Sequence, residues 1–374
     1  MREVIIFRHN LFRVSETFIT QQAQQLHRYR PLYMGRLRYG PAPKGAESLA
    51  LEDLPLRWPL VLWQMLSRTP RPFRHLLGLR RPALIHAHFG VEGVYALPLA
   101  RQLGIPLVTT FHGFDATLST AALLRSPAWA NYPLFRARLA RQGALFLCAS
   151  TFIRDRVLAM GFPASRTHVH HIGVDCQTIS AREPGEETPT VLHVARLVEV
   201  KGTEYLIRAF ADLVDHPGLR LDIIGDGPLR TTLEDLSRKL GVAARIRFLG
   251  ALPHEQVLAA MRAAAILVLP SVRTETGREE GLGMVLLEAA ATGLPTIGTR
   301  IGGIPEGVVD GETGFLVPQR DAPALTARMR LLLSDPALRQ RMGAAARLHV
   351  EQHFDLRRQT ALLENWYDAV LREG

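Results

Sequence analysis

The sequence predicts an α/β protein made of two Rossmann-like, parallel-sheet domains that face one another across a cleft. Three observations carry this expectation. The chain has 374 residues, 47% of them apolar, more than one hydrophobic core ordinarily organises and enough to fill two. Short apolar runs alternate with helix-period stretches along its length, the pattern of strands covered on both faces by crossover helices. The alternation breaks once, over residues 180–189, a polar stretch with Pro184, Gly185 and Pro189 and no periodicity.

Taken in order, the first half is expected to run strand 4–7, helix 16–26, strand 83–86, helix 91–103, strands 106–110 and 144–148, helix 152–160 and strand 167–171. After the break, strands are expected at 191–194, 220–224, 246–249, 266–269 and 296–298, with helices between them, the first at 203–210. A last helical stretch covers 356–371. This gives domains 1–180 and 181–355 and a C-terminal helix 356–374. Sheets of this kind bind ligands beyond the carboxyl ends of their strands, so a site is expected in the cleft.

Charge divides the chain unevenly. Residues 1–180 hold 22 Lys+Arg against 9 Asp+Glu, whereas residues 181–374 hold 23 against 26, so the net +10 lies wholly in the first half. One domain is thus expected to meet an anionic surface. Between Arg57 and Arg81 the basic residues are interleaved with Trp58, Leu62, Trp63, Leu66 and Phe73, an arrangement suited to a bilayer interface. No nucleic-acid-binding module is recognisable, and nucleic acid is not an expected partner. No apolar run is long enough to span a bilayer and the chain opens on a strand, so the expected location is cytoplasmic, peripheral on the inner face of the plasma membrane. Cys148 and Cys176 are the only cysteines, too few for a disulfide framework or a metal site.

The richest passage runs from Glu280 to Glu288. Glycines that open a helix offer unpaired amides and the positive end of the dipole to an anion, here at Gly283, Met284 and Val285. The two glutamates flank that point and can accept hydrogen bonds from hydroxyl groups. Phosphate with hydroxyls suggests a sugar nucleotide. Upstream, Arg196 and Lys201 follow an apolar strand and are placed to neutralise a diphosphate. Lys201 is one of three lysines, with Lys44 and Lys239, in a chain that otherwise uses arginine.

These residues resemble the family-4 retaining glycosyltransferases of the GT-B fold. The matching set is Arg196 and Lys201, Gly225-Asp226-Gly227-Pro228, Gly250-Ala251-Leu252-Pro253, Pro270-Ser271, the Glu280 and Glu288 pair, and Gly302-Gly303-Ile304-Pro305-Glu306. Ser15-Glu16-Thr17-Phe18, His88-Phe89-Gly90 and His112-Gly113-Phe114-Asp115 resemble the subgroup that builds exopolysaccharides such as colanic acid. The resemblance implies a UDP- or GDP-sugar donor and a saccharide acceptor, lipid-linked, for exopolysaccharide or lipopolysaccharide synthesis. It implies that Glu288 binds ribose, that Glu280 binds the sugar near its 3- and 4-hydroxyls, that Leu252 lies beside the base, and that His112 reaches the reacting bond. It implies retention by front-face attack, with the departing phosphate oxygen taking the acceptor's proton.

No cofactor or metal is expected, since cations and amides supply the charge and no Asp-x-Asp pair occurs in the chain. Glu255 is the only carboxylate in the loop after strand 246–249, which favours uridine over guanosine in the donor. Where many relatives carry a Gly-Gly loop after the first strand, this chain reads Arg8-His9-Asn10. Ser15 is expected to cap the following helix with Glu16 in its first turn, and donor or acceptor contact is secondary there. Asp115 is grouped with His112 and Ser15 on the acceptor side. A nicotinamide oxidoreductase is disfavoured because Gly225-Asp226-Gly227-Pro228 lacks the third glycine of the dinucleotide fingerprint. A non-catalytic nucleotide-sugar or polyanion-binding protein of the same fold is the alternative.

Overall fold

The computed structural model describes residues 1–13, 16–183, 185, 187–213, 215, 216 and 218–373. They form two compact units, one of residues 1–173 with 356–374 and one of residues 174–355.

The first unit contains β1 (Arg2–Phe7), β2 (Asn10–Leu11), β3 (Tyr29–Gly35), β4 (Leu37–Arg38), β5 (Glu47–Ala50), β6 (Leu84–His88), β7 (Leu107–Phe111), β8 (Leu145–Cys148) and β9 (Thr167–Val169). Seven of them make a parallel sheet in the order β5-β3-β1-β6-β7-β8-β9, and β2 pairs with β4 apart from it. The central strand shows why the run is uniformly apolar. Ile5 and Phe7 pack on one face with Phe73 and Ile85, while Val4 and Ile6 pack on the other with Tyr29, Tyr33 and Tyr367.

That second face is completed by the last helix, Leu356–Glu373. The Tyr367 hydroxyl lies 2.6 Å from His86 Nδ1, Tyr29 Oη donates to Asp368 at 2.6 Å, and Glu364 accepts from the His27 and Arg28 amides at 2.9 and 2.6 Å. Four strands of this unit were not expected, β2 to β5, of which β3 and β5 belong to the main sheet. Pro31, which lacks an amide hydrogen, stands opposite Val4 inside the sheet, and a segment with proline beside Arg30 reads as loop.

The second unit contains β10 (Thr190–Val194), β11 (Arg220–Ile224), β12 (Ile246–Gly250), β13 (Ile266–Leu269), β14 (Thr296–Thr299) and β15 (Gly314–Val317). They form one parallel sheet in the order β12-β11-β10-β13-β14-β15. From β10 the chain winds outward one way through β11 and β12, then returns to build β13 to β15 on the other side. The crevice at the carboxyl ends of β10 and β13 is therefore the topological switch point, where such sheets bind ligands.

The division between units falls at 173/174 rather than at 180/181. The stretch 180–189 looks like a linker by composition, yet its described residues, with 174–179 before them, are tied to the second unit over long sequence distances. Val174 donates to Phe354 O at 2.7 Å, and Arg182 donates from its amide to Thr292 O and from Nη1 to Ala264 O, each at 2.9 Å. Glu187 joins Arg182 and Arg339, both at 2.6 Å. Among the described residues no helix is long and apolar enough to cross a membrane.

Candidate functional site

The switch point of the second unit gathers the charged residues singled out in the sequence. Beyond β10 the chain passes Arg196 and makes a 3-10 turn, Glu199–Lys201. Gly202 then adopts φ +61°, and a Cβ there would sit 2.0 Å from the carbonyl oxygen of Pro270. Only glycine permits both the left-handed backbone and that approach, which brings Lys201 against the segment that follows β13. Val272 seals the contact by donating to Val200 O at 2.9 Å.

Lys201 Nζ donates to Glu280 Oε2 at 2.5 Å, and Ser271 Oγ donates to the same oxygen at 3.2 Å. Burial alone would favour the neutral acid. The Lys201 ammonium, the two hydrogen bonds and the Arg278 charge outweigh it and hold the Glu280 carboxyl below its ordinary value. The backbone of Glu280 is fixed from behind: Gly303 donates to its carbonyl at 3.1 Å, and a Cβ on Gly302, at φ +56°, would fall 2.1 Å from that oxygen. The Gly302-Gly303 motif is therefore the seat of Glu280.

Met284–Ala291 forms the helix after this loop, with Gly283 as its left-handed N-cap at φ +82°. The Met284 and Val285 amides belong to its first turn and have no acceptor within the helix. Glu288 lies on this helix with no hydrogen bond to its carboxylate from the described residues, and burial pushes that carboxyl up to about 7. Leu252, in the loop beyond β12, is partly buried against the cluster of Leu192, Ile224 and Leu269. Arg196 is exposed, and its guanidinium has no acceptor among the described residues.

Sequence reasoning passed over Arg278, two residues before Glu280. It is half-buried, its guanidinium has no partner among the described residues, and burial followed by the charge of Arg196 lowers its pKa. The signal was present as a third cation next to the Glu280 motif, but arginine is so common in this chain that it did not stand out.

In the first unit His112 follows β7. Its Nε2 lies 3.1 Å from His88 Nδ1, and the rings of Phe18 and Phe89 pack on it at 5.0 and 4.7 Å. Burial first, then the charges of His86 and Arg8, keep His112 well below the usual imidazole value, so the ring is neutral at physiological pH. Asp115 corrects the expectation of an acceptor contact. It is fully buried, and its carboxylate accepts from the amides of Gly90 at 2.8 Å, Gly113 at 3.0 Å and His112 at 3.3 Å. It braces the loop that carries His112 and has no free face for a ligand.

Glu16 likewise takes a different role from a first-turn charge. Arg8 holds it bidentately, both bonds at 2.8 Å, and Arg8 also pairs with the buried Glu92. Ser15 lies outside the described residues. His112, Asp115 and Glu16 are thus grouped in the first unit, and Arg196, Lys201, Leu252, Glu280, Gly283, Met284, Val285 and Glu288 in the second.

Residues 13–178 match the family described as Glycosyltransferase Family 4, and residues 177–349 match Glycosyl transferases group 1. A GDP-mannose-dependent alpha-(1-6)-phosphatidylinositol monomannoside mannosyltransferase of Mycolicibacterium smegmatis is 32% identical over 333 residues, covering 83% of this chain and 84% of that one. The glycogen synthase of Mycobacterium tuberculosis is 33% identical over 285 residues (74% and 66%). The amylovoran biosynthesis glycosyltransferase AmsK of Erwinia amylovora is 32% identical over 274 residues (72% and 65%). The chain thus spans about two thirds of the length of the latter two. Among solved structures, Thermosynechococcus elongatus sucrose-phosphate synthase superposes with a TM-score of 0.82 at 20% identity over 100% of both chains. Anabaena Alr3699/HepE, in complex with UDP and glucose, gives 0.79 at 20% identity over 99% of this chain and 100% of its own.

Proposed function

The chain belongs to the family-4 glycosyltransferases, with the GT-B fold, and from that premise we propose that it moves a sugar from a nucleotide-sugar donor to a hydroxyl of a saccharide acceptor with retention of configuration. The observation that carries the reading is the cluster at the switch point of the second unit. There a lysine-bound carboxylate, Glu280, shares the loops beyond β10 and β13 with Arg196 and the open amides of a helix start. Glycosyl transfer needs just these parts: donors for the developing diphosphate charge and acceptors for sugar hydroxyls.

In the proposed reaction the bond from the anomeric carbon to the diphosphate breaks, and the acceptor oxygen bonds to that carbon on the same face. The acceptor's proton passes to the departing phosphate oxygen. Cations and amides of the protein supply the charge stabilisation, so the reading calls for no metal. Neutral His112 acts by hydrogen bonding. A uridine nucleotide is favoured over a guanosine nucleotide, for want of a carboxylate near Leu252 other than Glu255. AmsK, named for amylovoran biosynthesis, supports an acceptor in exopolysaccharide assembly.

A lipid-linked acceptor at the inner face of the plasma membrane suits one further feature. On the helix Arg57–Ser67, Trp58, Leu62 and Leu66 recur every fourth residue and are 59%, 52% and 68% exposed. Such an apolar stripe flanked by Arg57, Arg68 and Arg71 fits an anionic membrane surface. Sedimentation with vesicles tests it: binding to anionic and not to zwitterionic vesicles is expected, lost in L62D/L66D, and equal binding by that variant refutes it.

Titration of the protein with UDP, GDP and NAD, followed by melting temperature, tests the donor site. Stabilisation by UDP or GDP alone is expected. Stabilisation by NAD alone removes the reading, and nucleotide binding without turnover of any nucleotide sugar favours the non-catalytic alternative.

A further inference from the structure

Two histidines near the end of β6 face the strand that leads to His112, and the fold uses them differently. In the parallel register His86 stands opposite Val108 and His88 opposite Thr110, so the alternation of side chains puts His86, His88 and Thr110 on one face of the sheet, with His112 just beyond. His86 is satisfied at both nitrogens, by the Tyr367 hydroxyl and by Thr110 Oγ1, each at 2.6 Å. It belongs to the packing. His88 instead turns its Nδ1 to His112 Nε2 at 3.1 Å, with the two ring planes 15° apart.

Burial above all holds both imidazoles well below their ordinary value, so each ring carries one N–H and one bare nitrogen. A single proton therefore lies between them, and His112 keeps the complementary capacity at Nδ1. That atom is buried and meets no partner among the described residues. A polar atom so placed is costly unless a bound group completes it. The aromatic cage does not choose which nitrogen is left over. Phe18 and Phe89 pack on the ring at 5.0 and 4.7 Å, and the Arg8 guanidinium lies 4.4 Å over Phe89. Such surfaces fix the plane of the imidazole, yet a half-turn about its last bond exchanges nitrogens for carbons within the same volume. Among the described residues the bond to His88 is what tells the two states apart.

We propose that His88 is a positioning residue, which fixes the flip and the tautomer of His112 so that Nδ1 is the ring atom that meets a hydroxyl of the sugar or of the acceptor. This rests on the transferase reading above. A hydroxyl both donates and accepts, so it completes Nδ1 in either tautomer, provided that one state is held.

Ring-nitrogen NMR of the full chain with isotope-labelled histidine, His112 being assigned through H112N, reads the tautomer directly. The wild type should show one tautomer of His112, and His88→Phe, which keeps a ring and removes the bond, should show both. In donor hydrolysis with UDP-glucose, UDP-galactose and GDP-mannose, H88F should lower kcat roughly four- to a hundredfold, from sharing His112 among its flips and tautomers up to a displacement of about 1 Å. The Kd for UDP should stay within about twofold. H88N, whose amide can stand in for Nδ1, should recover part of the loss, and H88Q, whose amide reaches a different point, should not; this contrast holds even if H88F fails to fold. H88F/H112N should be no slower than H112N, since His88 acts through His112. Two tautomers in the wild type, or one in H88F, overturns the proposal whether or not a donor is turned over. So do equal rates in H88N and H88Q, or losses that multiply in the double variant. If the wild type turns over none of the donors, the transferase reading fails and the role falls with it. Wild-type turnover with an indifferent H88F sinks the inference alone.

Discussion

Lys201 and Glu280 offer the sharpest quantitative test, through Lys201→Met, which removes the cation and keeps the bulk. Removing one partner of a fully buried ion pair costs roughly 3–5 kcal/mol. Here both side chains keep some exposure, 22% and 16%, and Ser271 continues to donate at 3.2 Å, so about 2 kcal/mol is expected. For a unit of this size each kcal/mol moves the melting temperature by roughly 2–4 °C, which gives a drop of about 4–8 °C. The sign of the pH dependence follows from the lowered Glu280 carboxyl. Its contribution is present above its ordinary value of 4.5 and is lost as pH falls through the folded value below that. Without Lys201, burial dominates and raises the carboxyl, so the gap between wild type and variant is full at pH 7.5, begins to narrow as pH falls through the variant's raised value, and narrows further as it falls through the wild-type value below 4.5. The double variant K201M/E280Q carries no stranded charge and should melt above K201M while remaining inactive. Circular dichroism melts at both pH values read the effect. Trp58, Trp63, Trp129 and Trp366 all lie in the first unit, so the tryptophan-detected transition is an internal control that should not move. Wild-type melting of K201M at pH 7.5, or a double variant less stable than either single one, refutes the reasoning.

Glu288 is raised to about 7 by burial, and ribose hydroxyls bind its ionised form best; nucleotide affinity should therefore fall about tenfold between pH 7.5 and 5.5, and E288Q should flatten that profile in calorimetry. Gly302→Ala places a methyl 2.1 Å from Glu280 O at φ +56°, so it should cost about 2–4 kcal/mol and abolish nucleotide binding, as read by melting and titration. His112→Asn should lower kcat by roughly a hundredfold with the Kd for UDP unchanged within about twofold, because the cluster proposed to bind the nucleotide lies in the other unit; a weakened Kd would contradict the role assigned to it.

Much of this was legible because the relevant signals are local. The buried strands of both sheets could be read from runs such as Val4 to Phe7 and Ile266 to Leu269, since burial on both faces leaves an uninterrupted apolar mark. Lys201 and Glu280 could be recognised one at a time from motif order. Their pairing could not, because 79 residues separate them and only the fold decides which cation a carboxylate meets. Asp115 was misassigned for a related reason: an acid beside His112-Gly113 looks available until its three amide donors are seen. Arg8 and Glu92, joined across 84 residues, gave no joint signal at all. The stretch near residue 180 failed in the opposite direction, since its polar and proline-bearing composition is that of a linker while Arg182, Arg339 and Arg347 fasten it to the second unit.

The last helix carries an implication for how the chain comes to be folded during synthesis. Residues 174–355 are contiguous and can close their sheet as soon as they have left the ribosome. The half made first has to wait. Until Tyr367 and Asp368 emerge, His86 Nδ1 and the Tyr29 hydroxyl lack the partners that the last helix supplies, and the face bearing Val4 and Ile6 is only partly covered. The amino-terminal unit is therefore finished last, and a chain truncated after residue 355 would display a complete second unit beside an incomplete first one, a natural client for a chaperone that binds apolar sheet surface.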